Sequence, residues 1–217
     1  MTDDLDKLRT APEAIVAHAR EFYADRRRPV KPRRAATVLV LRDLPYTVRA
    51  PGGIEVYMMR RKRSMVFAGG LYAFPGGGVG PEDIDVQSAA VREAAEETGL
   101  RLTELYAWSR WVTPEFEPRR YDTWFYVARQ PDGVEPRDVS GEADWAGWLT
   151  PATALRDHAE AMLPPTAVTL AELSEFRTVD SALVAAENRD LAPVEPRIVL
   201  DEPTPRFALP GDPDYPA

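Results

Sequence analysis

The stretch REAAEETGL, residues 92–100, puts Glu93, Glu96 and Glu97 into the last two turns of a segment with helical character. Asp83 or Asp85 can cap its start, Gly99 suits the left-handed position just past its end, and Leu100 can make the hydrophobic contact that accompanies such a cap. Glu97 lies four residues after Glu93, and Glu96 three after it, so the three carboxylates share one face. Val91 and Ala95, on roughly the opposite face, are the residues left for the core. A helix C-terminus carries partial negative charge, so each like-charge neighbour there costs roughly 0.2–0.5 kcal/mol. Two arrangements offset that cost. One is a solvated acidic face with Arg92 paired to Glu96; the other is a hard divalent cation, since Mg²⁺ takes oxygen ligands and sits on a few carboxylates plus substrate phosphates.

Upstream, FPGGGVG at residues 74–80 sets a proline and four glycines between a strand and the acidic helix, which lets backbone groups approach a ligand closely. Together the two stretches resemble the signature of the Nudix hydrolases, G-x5-E-x7-R-E-U-x-E-E-x-G-U with U a bulky aliphatic. Arg92, Glu93, Glu96, Glu97, Gly99 and Leu100 fit its second half, with Ala94 where a bulkier residue is usual. The first half departs: counted from Gly77, the glutamate position holds Asp83, and eight residues rather than seven separate it from Arg92. The resemblance implies an α/β fold, an α/β/α sandwich with a mixed sheet. It also implies hydrolysis of a nucleoside diphosphate linked to another group, with Mg²⁺ or Mn²⁺ held by Glu93, Glu96, Glu97 and the carbonyl of Gly76. Arg92 would orient Glu96 by a charge-assisted hydrogen bond. The general base in relatives is a helix glutamate, here Glu93 or Glu97, or a loop glutamate, for which Glu142 in SGEADW is the candidate. Glu142 reads equally as an exposed residue at the start of a strand.

Residues 59–77 and 111–128 are similar to the Nudix branch that includes the peroxisomal coenzyme A diphosphatases. That likeness implies cleavage of coenzyme A or its thioesters to 3′,5′-ADP and a phosphopantetheine product. The bacterial coenzyme A signature has a histidine before its glycine, and this chain has none between residues 19 and 157. Arg60, Arg61, Lys62 and Arg63 can serve a 3′-phosphate or the diphosphate, as can Arg119 and Arg120, while Phe67, Tyr72 or Trp111 can cover an adenine. The plainer alternative is that Arg60 and Arg61 end an edge strand and the aromatics fill the core. The same acidic face would serve ADP-ribose, NADH or a nucleotide sugar, and a nucleotide-binding module that does not hydrolyse is a further alternative.

The chain has 217 residues, 44% hydrophobic content and a formal charge of −8, enough for one sizeable core and no general affinity for nucleic acid. No cysteine occurs, which excludes disulfides and thiolate metal sites. Without an apolar run of 18 residues the chain reads as a cytoplasmic protein off the membrane. His18 and His158 have no partner pattern, so neither is expected to be catalytic. Homodimers are common among the relatives the resemblance points to, although no residue here demonstrates one.

Four segments follow from composition and periodicity. Residues 1–34 are an N-terminal helix, with a capping box at Thr10 and Glu13, and a basic stretch, RRRPVKPRR, that is either a solvated linker or a phosphate-attracting arm. Residues 35–150 form the core, with strands at ATVLVLRD, IEVYMMRR, TELYAWSRWV, YDTWFYVAR and EADWAGWLT. Helices near 151–161 and 165–175 make a third segment, 151–180, packed on that core. Residues 181–217, with seven prolines among the last 27 residues, are expected to run extended, anchored by Phe207 and Tyr215.

Overall fold

ATVLVL, residues 36–41, carries nonpolar residues on both faces of a strand, as a position covered from both sides requires. In the computed structural model, which describes residues 10–44, 52–65, 68–201 and 204–215, it is the centre of β1 (Arg33–Leu44). Val38, Leu39, Val40 and Leu41 are all 0% exposed, each contributing about 1.5–3 kcal/mol relative to exposure. β2 (Gly53–Arg61) runs antiparallel to it, with Leu41 opposite Val56 and Leu44 opposite Gly53. The other strands are β3 (Tyr72–Ala73), β4 (Gly76–Gly78), β5 (Tyr106–Val112), β6 (Tyr121–Arg129) and β7 (Ala143–Leu149). They complete a seven-stranded sheet in the order β3-β2-β1-β6-β5, with β4 added to β1 and β7 to β2. Arg33 donates its N–H to Arg120 O, and Gln130 donates its N–H to Leu41 O, so β1 and β6 run parallel and the sheet is mixed.

Two compact units divide the chain. The larger comprises Ala35–Ser109 and Trp124–Leu191. In it the helix α2 (Val86–Thr98) lays Ala89, Ala90 and Ala94 against Val38, Val40 and Tyr57 of the sheet. α3 (Pro151–His158), a 3₁₀ turn at Ala159–Ala161, α4 (Pro164–Leu173) and α5 (Val179–Ala186) follow, α3 packing on α4 and on β2. The smaller unit holds the described residues of Met1–Arg34, Arg110–Thr123 and Ala192–Ala217. Its core joins Val16, Ala19 and Phe22 of α1 (Glu13–Ala24) to Phe116, Phe207 and Ile198, around the antiparallel pair β8 (Arg197–Val199) and β9 (Arg206–Ala208).

Three sequence expectations change. Thr10 and Glu13 form no capping box; Pro12 sits at the N-cap without a side-chain bond, and Thr10 bridges Arg206 instead. The helix face left for the core is that of Ala90 and Ala94 rather than Val91 and Ala95, and it includes Glu97. The stretch after 181 does not run extended throughout. A Thr178–Ser181 capping box starts α5, whose ALVAA run is apolar, and the prolines that mark extended chain begin only at Pro193, within a region that still forms β8 and β9. Among the described residues, no helix is long and apolar enough to cross a membrane.

Candidate active site

The glycines of β4 bring backbone, strand and helix into contact. β4 pairs with β1, placing Gly76 opposite Thr37 and Gly77 opposite Ala36. A side chain at Gly76 would overlap the backbone of Ala36 and Thr37, so that position demands glycine, whereas one at Gly77 would meet the tip of the Glu93 carboxylate and displace it. On α2, capped by Asp85 accepting the Ser88 N–H at 2.7 Å and closed by Gly99 at φ 74°, the acidic residues then meet this loop. Glu97 is only 7% exposed, and its Oε2 accepts the Gly76 N–H at 2.8 Å. Burial pushes its carboxyl up to about 7, partly offset by the Gly76 bond and by Arg61, with Glu93 and Glu142 pushing the same way as burial. Burial likewise raises Glu93, against the pull of Arg92.

Arg92 ties the cluster together. Its Nε and Nη2 donate to the two carboxylate oxygens of Asp83 at 3.1 and 2.8 Å, while Nη1 donates to Glu93 Oε1 at 2.9 Å and to Glu96 Oε2 at 3.0 Å. Nη2 also reaches Gly78 O at 3.0 Å. Asp83 accepts the Gly80 N–H at 2.7 Å, and the Arg92 guanidinium holds its carboxyl below the usual range. Of the two candidate caps, Asp85 caps the helix and Asp83 clamps the arginine. The loop is one residue longer than the family signature, and the side chain one methylene shorter.

Beside Glu97 lies a narrow cavity whose walls include Met59, Arg61, Phe74, Glu142 and Ala143. Arg61 is held by its backbone, N–H to Leu71 O at 3.0 Å and O from Gly70 N–H at 2.9 Å, yet its buried Nε has no partner among the described residues. Glu142 is exposed, and its carbonyl accepts the Lys62 N–H at 2.9 Å. Among the described residues, no three carboxylate or imidazole groups converge into a ready cation cage. The donors nevertheless fit a hard cation that takes part of its shell from substrate and water: they are carboxylates, one is buried at 7% exposure, and Gly77 leaves the space beside Glu93 free of a side chain.

Several expected substrate residues are occupied elsewhere. Tyr72, 7% exposed, stacks on His158 at 4.2 Å and 15°, so it is core rather than a cover for a base. Arg60 pairs with Asp144 at 2.5 Å, and its guanidinium lies 5.9 Å from the Tyr72 ring. In the smaller unit Trp111 is 6% exposed and bridges Val194, and Arg120, 8% exposed, clamps Thr113 O, Val30 O and Glu195. These two are structural because their polar or aromatic reach is spent inside that unit. Lys62, Arg63 and Arg119 are exposed, and Phe67 lies outside the described residues. The Asp83–Arg92 clamp escaped the sequence because the longer loop hid it, although opposite charges facing each other across a capped turn are a usable signal.

A family model described as the NUDIX domain matches residues 31–170. The chain belongs to the Nudix family. Among solved structures, this Nudix protein is similar to a NUDIX hydrolase from Alicyclobacillus acidocaldarius, with 25% identity, a TM-score of 0.62, and coverage of 76% of this chain and 99% of that one. A MutT NUDIX hydrolase from Burkholderia pseudomallei shares the fold at 22% identity and a TM-score of 0.51, covering 66% of this chain and 99% of that one. No curated protein matches the chain in sequence. The protein is a Nudix hydrolase, of the class that acts on nucleoside diphosphate-linked substrates.

Proposed function

We propose that the Glu97 centre hydrolyses a diphosphate with the help of a divalent cation, and that coenzyme A or an acyl-coenzyme A is the substrate, giving 3′,5′-ADP and a phosphopantetheine product. The observation that carries the reaction is the meeting of a buried carboxylate, a glycine-loop amide and a guanidinium with an unpaired Nε at one cavity. Neither structural relative is named for coenzyme A, and that choice of substrate rests on the sequence likeness. It is supported by Lys62 and Arg63, exposed immediately after Arg61 and available for a 3′-phosphate. ADP-ribose, NADH or a nucleotide sugar is the second reading, favoured by the commitment of Arg60, Tyr72, Trp111 and Arg120 to structural contacts.

Glu93, Glu96, Glu97 and the Gly76 carbonyl would hold Mg²⁺ or Mn²⁺, which when bound neutralises phosphate oxygens and acidifies water. Arg92 sets the positions of Glu93 and Glu96, with Asp83 holding the guanidinium. Arg61 donates to a diphosphate oxygen, satisfying its Nε. Glu142, exposed beside the cavity, takes the proton from the attacking water. Product analysis by liquid chromatography and mass spectrometry, with coenzyme A, acetyl-coenzyme A, ADP-ribose, NADH and UDP-glucose as substrates, tests the proposal. Release of 3′,5′-ADP supports the coenzyme A reading, whereas AMP or UMP with coenzyme A untouched favours the second.

A further inference from the structure

A second cavity, of about 390 Å³, opens within the larger unit. That volume lies in the range of small-molecule sites, roughly 300–1,000 Å³. Its walls are the edge strand β7, which contributes Trp145 and Trp148, the loop before it, which contributes Glu135 and Asp138, and Tyr57 of β2. The narrow cavity of Arg61 and Glu97, of about 10 Å³, adjoins it at Ala143.

Tyr57 is 2% exposed, and its hydroxyl has no hydrogen-bond partner among the described residues. Phenylalanine would pack at this position of the core without leaving a polar group unpaired. A tyrosine hydroxyl at the wall of a cavity therefore points to a partner that arrives with a ligand. The neighbouring groups are already fixed in place. Trp148 stands edge-on to Tyr57 with ring centroids 5.5 Å apart, its ring covered by Arg42 at 4.3 Å and its Nε1 donating to Glu135 at 3.3 Å. The Trp145 indole lies on the opposite face of β7, over Gly147 and with its ring centroid 5.5 Å from that of Tyr72, so Trp148 is the indole that faces Tyr57. Asp138 Oδ1 accepts from Ser140 Oγ and Gly141 N–H, both at 2.9 Å, while Oδ2 has no hydrogen bond among the described residues.

The chemistry of this lining is selective. Of the lining carboxylates, Glu135 and Asp144 are paired with Arg42 and Arg60, which leaves Asp138 as the one without an ion pair among the described residues. An indole, a fixed carboxylate acceptor and a phenolic donor suit a neutral planar heterocycle that carries an amino group. We infer that the cavity takes the purine base of the substrate, its ring beside the Trp148 indole, its exocyclic amine donating to Asp138 and a ring nitrogen accepting from Tyr57 Oη. The inference rests on the reading of the Glu97 centre as a diphosphatase, and it moves base recognition to residues outside the aromatic set expected from the sequence. It also leaves any 3′-phosphate outside the cavity, with the exposed lysine and arginine at residues 62 and 63.

Isothermal titration of metal-free protein with adenosine, which carries no phosphate, tests the assignment in wild type, Tyr57→Phe, Asp138→Asn and Glu97→Gln, beside a turnover assay on nucleoside diphosphates. Adenosine is expected to bind wild type and Glu97→Gln alike and to bind Tyr57→Phe and Asp138→Asn at least fivefold more weakly. Tyr57→Phe should unfold no earlier than wild type, because no bond is lost in the free protein. Unchanged binding in both variants overturns the inference, as does a wild type that hydrolyses a purine nucleoside diphosphate yet does not bind adenosine. Adenosine binding that weakens in Tyr57→Phe, in a protein that hydrolyses no diphosphate, supports the cavity assignment and refutes the diphosphatase reading instead.

Discussion

Asp83 and Arg92 meet through two parallel hydrogen bonds, of 3.1 and 2.8 Å, across nine positions of chain, and the same guanidinium then reaches Glu93 and Glu96. The carboxylate side chain of Asp83 is 3% exposed, and removing it leaves the Arg92 guanidinium with Gly78 O and the carboxylates of Glu82, Glu93 and Glu96. Charge-assisted bonds of this kind contribute about 1.5–3 kcal/mol. Asp83→Ala should therefore lower Tm by roughly 3–12 °C for a protein of this size, measured by calorimetry. A Tm within a degree of wild type would show that the clamp contributes nothing to the fold.

Glu97 makes metal-free stability depend on pH. Its folded carboxyl titrates at about 7 against an ordinary value of 4.5, chiefly through burial, so the folded state holds the proton more tightly than the unfolded one. Between those values the folded protein binds more protons than the unfolded chain, and stability falls as pH rises from about 4.5 to about 7, then levels off. At 1.36 kcal/mol per unit the loss is of order 3 kcal/mol. Urea denaturation in EDTA at pH 5 and pH 8 should show that loss in wild type and a smaller one in Glu97→Gln, which at pH 8 should be as stable as wild type or more so. A Glu97→Gln variant that is much less stable than wild type at pH 8 would contradict the account of the buried charge.

Gly77 is where the loop passes closest to Glu93, and a methyl group there overlaps the carboxylate. The atoms it meets are the tip of a flexible side chain, so the carboxylate shifts while the backbone keeps its path. Gly77→Ala should lower kcat at least tenfold by displacing Glu93 while the protein still folds, as followed by circular dichroism and steady-state kinetics. Wild-type kcat in the variant would mean that the position of Glu93 does not matter.

Much of the architecture was legible because its signals are local. ATVLVL at 36–41 has the doubly apolar pattern of a central strand, and the residues of 92–100 carry a helix, its left-handed stop and a shared acidic face. What was not legible depends on tertiary contacts. Treating every glutamate as outward-facing put Val91 and Ala95 in the core, whereas Glu97 turns inward to the Gly76 amide and carries Ala94 with it. An aromatic residue on a strand reads the same whether it covers a ligand or stacks on another helix, which is why Tyr72 was a candidate and His158 had no evident purpose. Tyr57 gave no sign of a site, since a tyrosine in an apolar strand is ordinary and only the structure shows its hydroxyl without a partner.

The measurement that bears most directly on the Glu97 centre is Mg²⁺-dependent kcat for diphosphate hydrolysis in wild type and Glu97→Gln, with Tm recorded for both. The account predicts a loss of about 10²–10⁴-fold in the variant, the scale seen when a positioned acid–base or electrostatic group is removed, with Tm unchanged or raised. Turnover within threefold of wild type would contradict it and move the reaction away from the buried carboxylate.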